Sequence, residues 1–461
     1  MKKYIYNSNL TRRELLKYGV SGLLAMSFTG CSQKKKMPNI ILITLDTTRA
    51  DHLSCYGYNR RITPFLDRLA EESVLYTNAI STSSWTLPSH TSLFTGKFVS
   101  SHGVRHDPEG ALSLVDAMDD KSKWQQYRTR GLSFNEVTLA ATLKSAGYRT
   151  ASVVGGPWMK SIFGLNKGFD YYDDENIGTL NGRVASNINT SALNWIRTNR
   201  DSEFFLFLNY FDPHSPYNPP DDFKKLCLPT DFPEGKSSYS QEEIIIWNRA
   251  LYDAEILYMD YYIGQLIKFL KHEKLYDNTL IIITADHGEM IGEHGKFGHG
   301  EYLFQDEVHV PLLIKYPGSD VLPRKSEAYL QLIDIFPMIM DFLAMKSPDG
   351  IQGRVPPEIG HPIIAETYPL PMSSSDGSWR MLIDKGYKLL WNSMGNHQLF
   401  YLKDDPLEKN NLASLYVERV KEMIADLDSY LNSIPVPGPA PSLKNVDKDT
   451  MDALKSLGYI E

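Results

Sequence analysis

Cysteine is scarce. The 461 residues contain three, Cys31, Cys55 and Cys227. Three thiols allow one disulfide at most, so a disulfide-built scaffold is excluded. Long apolar runs are also missing. Past residue 30 no window offers the roughly 18 uncharged apolar residues of a membrane helix, so no internal span is expected. There is no excess of basic residues: 48 Lys and Arg face 56 Asp and Glu. Nucleic-acid binders tend to be basic, so nucleic acid is not an expected partner. No internal repeat is visible. What remains is an ordinary globular composition, 42% apolar and 23% charged, in a chain too long for one ordinary core. One large α/β domain with a smaller C-terminal unit is the expectation.

The first 31 residues read as an export signal. "LTRRELLKYG" carries Arg12-Arg13, and "VSGLLAMSFTGC" adds a short apolar stretch ending in small residues at Cys31. That order is the signature of a cleaved leader. The paired arginines point to the twin-arginine route for folded proteins. Ser27 to Cys31 resembles a bacterial lipoprotein box, with Cys31 as the lipidated first residue. The expected location is extracytoplasmic, in the periplasm or at the cell surface, and Cys31 would be the sole membrane anchor. The competing reading is a soluble periplasmic product. Residues 32–37 form a polar tether. Loss of residues 1–30 removes five basic residues and one acidic one, leaving 43 against 55.

"PNIILITLD" (38–46) is a short β-branched run ending in a carboxylate, the pattern of a buried parallel strand. "FFLFLNYFDPH" and "NTLIIITADHGE" repeat that pattern and end at Asp212, His214, Asp286 and His287. "TPFLDRLAEESVLY" has helical spacing and opens with Thr63-Pro64. "NEVTLAATLKSAGYRTASVVG" reads as helix, Gly147 stop, then strand, and "EEIIIWNRALYDAEILYMDYYIGQLIKFLKHEKL" as one long helix. The alternation predicts a mostly parallel sheet covered on both faces. In such sheets, sites lie beyond the carboxyl ends of the strands. Past residue 345 the character changes. "MLIDKGYKLLWN" and "HQLFYLKDDPLEKNNLA" read as antiparallel strands, followed by the helix "SLYVERVKEMIADLDSYLNSI" and a short terminal helix, "MDALKSLGYIE".

Asp46, Asp286 and His287 are hard-oxygen and imidazole donors at strand ends, and Thr86 in "SSWTLPSHTSLFTGKF" adds a hydroxyl. Two carboxylates, an imidazole and an alkoxide suit one divalent cation: Ca²⁺, Mg²⁺, Mn²⁺ or Zn²⁺, with the imidazole tilting toward Mn²⁺ or Zn²⁺. Each residue also has a structural reading. An Asp at a strand end commonly caps a helix, and Thr86 or Ser89 would cap the helix whose first turn holds Pro88.

Together with "PNIILITLDTTRADHLSCYGY", "HSPYNPP", "TADHGEMIGEHGKFGHGEYLFQDEVHVPLLI" and "LFYLKDDPLEKNNLA", these stretches resemble the sulfatase family of the alkaline phosphatase superfamily. The resemblance implies an alkaline-phosphatase-like α/β/α sandwich. Its large, mostly parallel sheet would form a catalytic domain at 38–345, and a smaller antiparallel α+β subdomain with the terminal helix would follow at 346–461. It places Asp46, Asp286 and His287 on the metal, Thr86 at the nucleophile, His214 on a substrate oxygen and His299 at the leaving group, with Lys296 as competitor. His90 replaces the motif's usual Arg, and Lys97 is a further candidate for anion charge. Thr47 stands where the family often has a second Asp. Asp212, His214 and His299 supply only part of a second metal set, so one metal is expected.

Thr86 is the decisive departure. Usual sulfatases carry Cys or Ser there and convert it to formylglycine. Thr cannot become that aldehyde, because its β-carbon bears a methyl group, so no formylglycine is expected. A formylglycine hydrate expels sulfate by breaking a carbon–oxygen bond, whereas a threonyl ester must be attacked by water at phosphorus or sulfur. That chemistry favours phosphodiesters and phosphonate esters, while the family resemblance favours sulfuric esters. The segment that usually reads "GKWHLG" is here "VVGGPWMKSIFGLNKGF", with only Lys160 and Lys167 as substitutes. The reading is therefore an exported metal-dependent ester hydrolase acting on a small-molecule, glycan or lipid ester through Thr86 and a covalent intermediate. Alternatives are a phosphoglycerol- or phosphoethanolamine-type transferase and a non-catalytic binding homologue. Oligomeric state is not legible in the sequence.

Overall fold

The computed structural model describes residues 37–437 except 108–109, 111, 114–127, 178–181, 231, 233–237, 319–323, 357–360 and 370–375. The expected export signal, the tether up to Lys36 and the terminal helix lie outside the described residues. Among the described residues no helix is long and apolar enough to cross a membrane.

In chain order the site-bearing elements are β1 (Asn39–Leu45), α1 (Pro64–Glu71), β2 (Val74–Ile80), α2 (Thr86–Thr95), α3 (Leu139–Ser145), β3 (Arg149–Val153), β4 (Tyr171–Asp173), α4 (Ala185–Asn199), β5 (Phe204–Tyr210), α5 (Gln241–His272), β6 (Thr279–Thr284), β7 (His309–Lys315) and β8 (Arg324–Gln331). The eight strands form one sheet in the order β8-β2-β7-β6-β1-β5-β3-β4. Only β7 runs against its neighbours. The sheet is thus mostly parallel. The residues of β1, β5 and β6 are all buried, as expected of strands covered on both faces.

A second sheet is antiparallel: β9 (Ile363–Thr367), β10 (Trp379–Asp384), β11 (Tyr387–Asn392) and β12 (Gln398–Tyr401). Helix α6 (Val417–Ser433) covers one face, burying Val420, Met423 and Leu427 beside Leu389 and Leu399. The other face packs Trp379, Met381 and Phe400 against Tyr302 and Phe304.

Local signals explain most boundaries. Ser240 and Glu243 form a capping box at the start of α5, satisfying two orphan N–H groups reciprocally. Gly147, at φ +98°, turns the chain from α3 into β3 in a conformation that costs a side-chain-bearing residue strain. One boundary differs from the sequence reading. The helical pattern from Thr63 extended to Tyr76, yet α1 stops at Glu71 and Val74–Ile80 is a strand. Between β7 and β8, "VLYTNAI" forms sheet ladders on both edges, and those contacts outweigh its helical spacing.

Candidate active site

Register brings the acids together. Thr44 of β1 pairs with Thr284 of β6 on one side and Asn209 of β5 on the other. Asp46 and Asp286 each lie two residues further on, so both carboxylates leave adjacent parallel strands at one level, about 4.8 Å apart by strand spacing. Asp46, Asp286 and His287 each offer a ligand atom, all within 4.8 Å of one another. Among the described residues no other three His, Cys, Asp or Glu side chains meet in this way.

Helix α2 delivers Thr86 to the same point. Neither Thr86 nor Ser89 is the cap: Trp85 holds that position without a side-chain bond. Thr86 is instead the first helical residue, and its Oγ1 lies 3.1 Å from His287 Nε2. The Ser89 hydroxyl donates to the Asp286 carbonyl at 2.7 Å, tying the helix to the metal loop. Pro88 sits in the first turn, where no intrahelical N–H is needed.

The electrostatics call for a cation. Asp46, Thr86, Asp286 and His287 are fully buried. Asp46 Oδ1 and Asp286 Oδ2 have no hydrogen-bond partner. Burial, then the Asp286 charge, push Asp46 well above the carboxylate range. Burial lifts Asp286 to about 7 against its backbone hydrogen bonds. His287 Nδ1 donates to the Gly288 carbonyl at 2.9 Å, so Nε2 presents its lone pair to Thr86. Burial, then His299, hold it well below its usual pKa. A neutral imidazole, two unpaired carboxylate oxygens and a hydroxyl match the donor set of a divalent ion.

His299 joins this group. Its ring centroid is 4.5 Å from that of His287 and 4.9 Å from that of His214. Its Nδ1 donates to Glu289 Oε1 at 2.9 Å. Burial opposes its charge, but the Glu289 carboxylate overrides that and raises its pKa. His214 stacks on Phe211 with its Nδ1 on the Ser215 carbonyl. Burial, then His299, lower it to about 4.

Two other candidates are placed away from the reacting atoms. His90 is fully buried; Nδ1 donates to the Thr86 carbonyl at 2.8 Å and Nε2 accepts from Thr44 at 2.9 Å. With both nitrogens engaged it holds the Thr86 backbone against β1. Lys97 lies past Gly96 at the opposite end of α2, roughly 15 Å of helix from Thr86, in an ion pair with Glu136 at 2.6 Å. The sequence reading had no means to see that it is spent there. Lys296 turns to the Tyr302 hydroxyl, and Lys167 to the carbonyls of Phe134 and Glu136.

Asp212 is also withdrawn from any second metal. Its Oδ1 accepts from Ala185 N at 2.9 Å, while Oδ2 is buried and unpartnered. Burial raises it to about 7, and raises nearby Glu255 to about 8. An unfolded Asp titrates near 3.9. The stability tied to protonated Asp212 is therefore full below about pH 4 and lost as pH rises through 7. Asp212→Asn, neutral throughout, should melt several degrees above wild type at pH 8 and match it at pH 4. An equal difference at both pH values would remove the titration from the explanation.

Sequence reasoning missed three residues. Asn209 donates to Asp46 Oδ2 and to Thr44, each at 3.2 Å, and its own oxygen accepts from Gly155 and Gly156. A lone amide inside an apolar strand was its available signal. Glu289 follows the metal pair by two positions. Tyr252, inside the stretch read as one long helix, donates to the Thr47 carbonyl at 2.7 Å and accepts from Arg49 N at 2.9 Å. Arg49 is buried among Asp51, Glu293 and Asp306 and serves the loop.

Comparison with known proteins gives a consistent picture. Residues 38–345 match the sulfatase family, and residues 292–435 match the C-terminal family of N-sulphoglucosamine sulphohydrolase. An N-acetylglucosamine-6-O-sulfatase of Bacteroides thetaiotaomicron is 23% identical, over 88% of this chain and 89% of that one. An arylsulfatase of Clostridium perfringens is 25% identical, over 83% and 92%. The fold is also that of a phosphonate monoester hydrolase of Agrobacterium radiobacter, with TM-score 0.68 and 20% identity over 86% and 95% of the two chains.

Proposed function

Because the chain belongs to the sulfatase family and is a hydrolase of sulfate or phosphate esters, we propose that it cleaves its ester by direct attack of unmodified Thr86. The observation that carries this is the Thr86 hydroxyl 3.1 Å from His287 Nε2, beside two buried carboxylates with unpartnered oxygens. A bound divalent cation supplies the positive charge that keeps Thr86 ionised, since a free hydroxyl is a poor nucleophile near neutral pH. Asp46, Asp286 and His287 would hold that ion.

Thr86 Oγ forms a bond to phosphorus or sulfur as the bond to the leaving oxygen breaks. His299, charged through Glu289, gives its proton to that oxygen. Water then attacks the threonyl ester, and His299, now neutral, takes the water's proton. The Thr86 oxygen leaves and the starting state returns. His90 and Asn209 keep the nucleophile and Asp46 in place throughout.

Phosphodiesters and phosphonate monoesters suit this route, because a threonyl ester opens only by attack at the central atom. The second reading, a sulfated glycan, is supported by the relatives named for sugar sulfates. A panel of aryl sulfate, phosphate monoester, phosphodiester and phosphonate esters, run with Ca²⁺, Mg²⁺, Mn²⁺ and Zn²⁺, separates them. The diester or phosphonate should show the highest kcat/KM. Highest kcat/KM on the sulfate would transfer the assignment to sulfur. Export and lipidation at Cys31 belong to the same proposal, supported by Arg12-Arg13 and the residues before Cys31. The N-terminal mass of the mature protein tests them.

A further inference from the structure

Arg105 is a half-buried cation with no acid of its own. Among the described residues no carboxylate forms an ion pair with its guanidinium. Nearby cations are spent: Arg130 pairs with Asp107 and Lys97 with Glu136. Arg105 instead lies over the Tyr368 ring, 4.2 Å from its centroid. The carboxylate beside that ring, Glu366, is already held by Ser100 N and the Tyr368 hydroxyl, each at 2.8 Å. Two runs of contacts lead from the reacting residues to this guanidinium. Trp85 precedes Thr86, and its ring stacks on that of His106, the residue after Arg105, at 3.8 Å between centroids. Gly300 follows His299, and its carbonyl accepts from Thr367, the residue before Tyr368, at 2.6 Å. The two runs meet, since Trp85 Cβ lies 3.7 Å from where a Cβ on Gly300 would stand.

An aromatic face holds a guanidinium by its plane and leaves the N–H fork free. That fork matches the paired oxygens of a carboxylate, sulfonate or phosphate. We propose that Arg105 binds an anionic group on the leaving alcohol, so the preferred substrate is an ester whose alcohol portion is itself an acid. The side fits: Tyr368 is reached from the strand end tied to Gly300, next to the His299 that meets the departing oxygen. Burial lowers His106 to about 3, so its ring adds no charge and Arg105 supplies the attraction. The inference rests on the Thr86 and His299 roles proposed above, but not on whether phosphorus or sulfur is attacked.

The test uses three phenol esters of the best class in the panel. Their leaving groups are 4-hydroxyphenylacetate, 4-hydroxybenzylsulfonate and the neutral 4-hydroxyphenylacetamide. Wild type should favour an acidic ester over the amide by roughly tenfold or more in kcat/KM, chiefly through KM. The better of the two acids identifies the oxyanion. Added salt should shrink the preference. Arg105→Ala should bring the acid-to-amide ratio near one, with the loss falling on the acidic esters, and Arg105→Lys should keep part of it. Melting curves check that both variants fold. The Thr86→Ala protein keeps the intact esters uncleaved, so calorimetric titration of it gives the same comparison without turnover. No preference for either acid in wild type, or equal losses on acid and amide in Arg105→Ala, would overturn the proposal. Calorimetric preference for the acids with no turnover by wild type would instead strike the Thr86 mechanism and leave Arg105 in place.

Discussion

Thr86→Ala abolishes turnover, on the order of 10⁴–10⁶-fold in kcat, as when an enzyme loses its nucleophile. The expected loss is this large because Thr86 Oγ1 is the hydroxyl that meets His287 Nε2. Ser89 is committed to the Asp286 carbonyl and Ser81, and Thr44 to His90. The fold should survive, since Thr86 Oγ1 makes one hydrogen bond and caps nothing. Thr86→Ser keeps the oxygen and should retain most of the activity. Steady-state kinetics on the best ester of the panel, with melting curves for each variant, decide it. More than a tenth of wild-type activity in the Ala variant would reject covalent catalysis at residue 86.

His299→Ala should cost roughly 10²–10⁴-fold on esters of aliphatic alcohols, the range for loss of a general acid. Esters of p-nitrophenol, whose anion leaves without a proton, should be far less affected. This leaving-group contrast separates proton donation from loss of packing. The pH dependence has a definite sign. Glu289 raises the His299 pKa in the folded protein. The stability of that pair is thus fully present below the unfolded value near 6.5 and lost as pH rises through the folded one. Activity on aliphatic esters should fall over the same rise. Glu289→Gln should move that alkaline limb to lower pH while leaving p-nitrophenyl turnover nearly intact. An unmoved limb would take His299 out of the acid's role.

Much of the site was legible because its residues sit at strand ends. Asp46, Asp286 and His287 each follow an apolar β-branched run, and a polar residue there falls at the edge of a parallel sheet. Thr86 was legible from "WTLPSH" and the family pattern. The errors have a common origin. His90 was named because it replaces the family motif's usual Arg, and Lys97 for its charge near Thr86 in sequence, but a helix points successive side chains in different directions. His90, four residues on, folds back under Thr86, while Lys97 emerges at the far end and meets Glu136. His214 lies at the site beside His299, as the family pattern implies, while its contact with the Ser215 carbonyl is not carried by the sequence. Asn209, Glu289 and Tyr252 act through partners distant in sequence.

By itself the sequence determined the βα alternation, the carboxylate-bearing strand ends and a threonine at position 86 that cannot become formylglycine. Those follow from local chemistry: β-branching, helix spacing and a methyl group on a β-carbon. Only the tertiary structure decided which charges remain free, which imidazole carries a proton and which buried oxygens lack partners. Each of those depends on what another part of the chain, tens to hundreds of residues away, places within about 3 Å. Hydrogen bonding and desolvation act through space, and no spacing pattern along the chain encodes them.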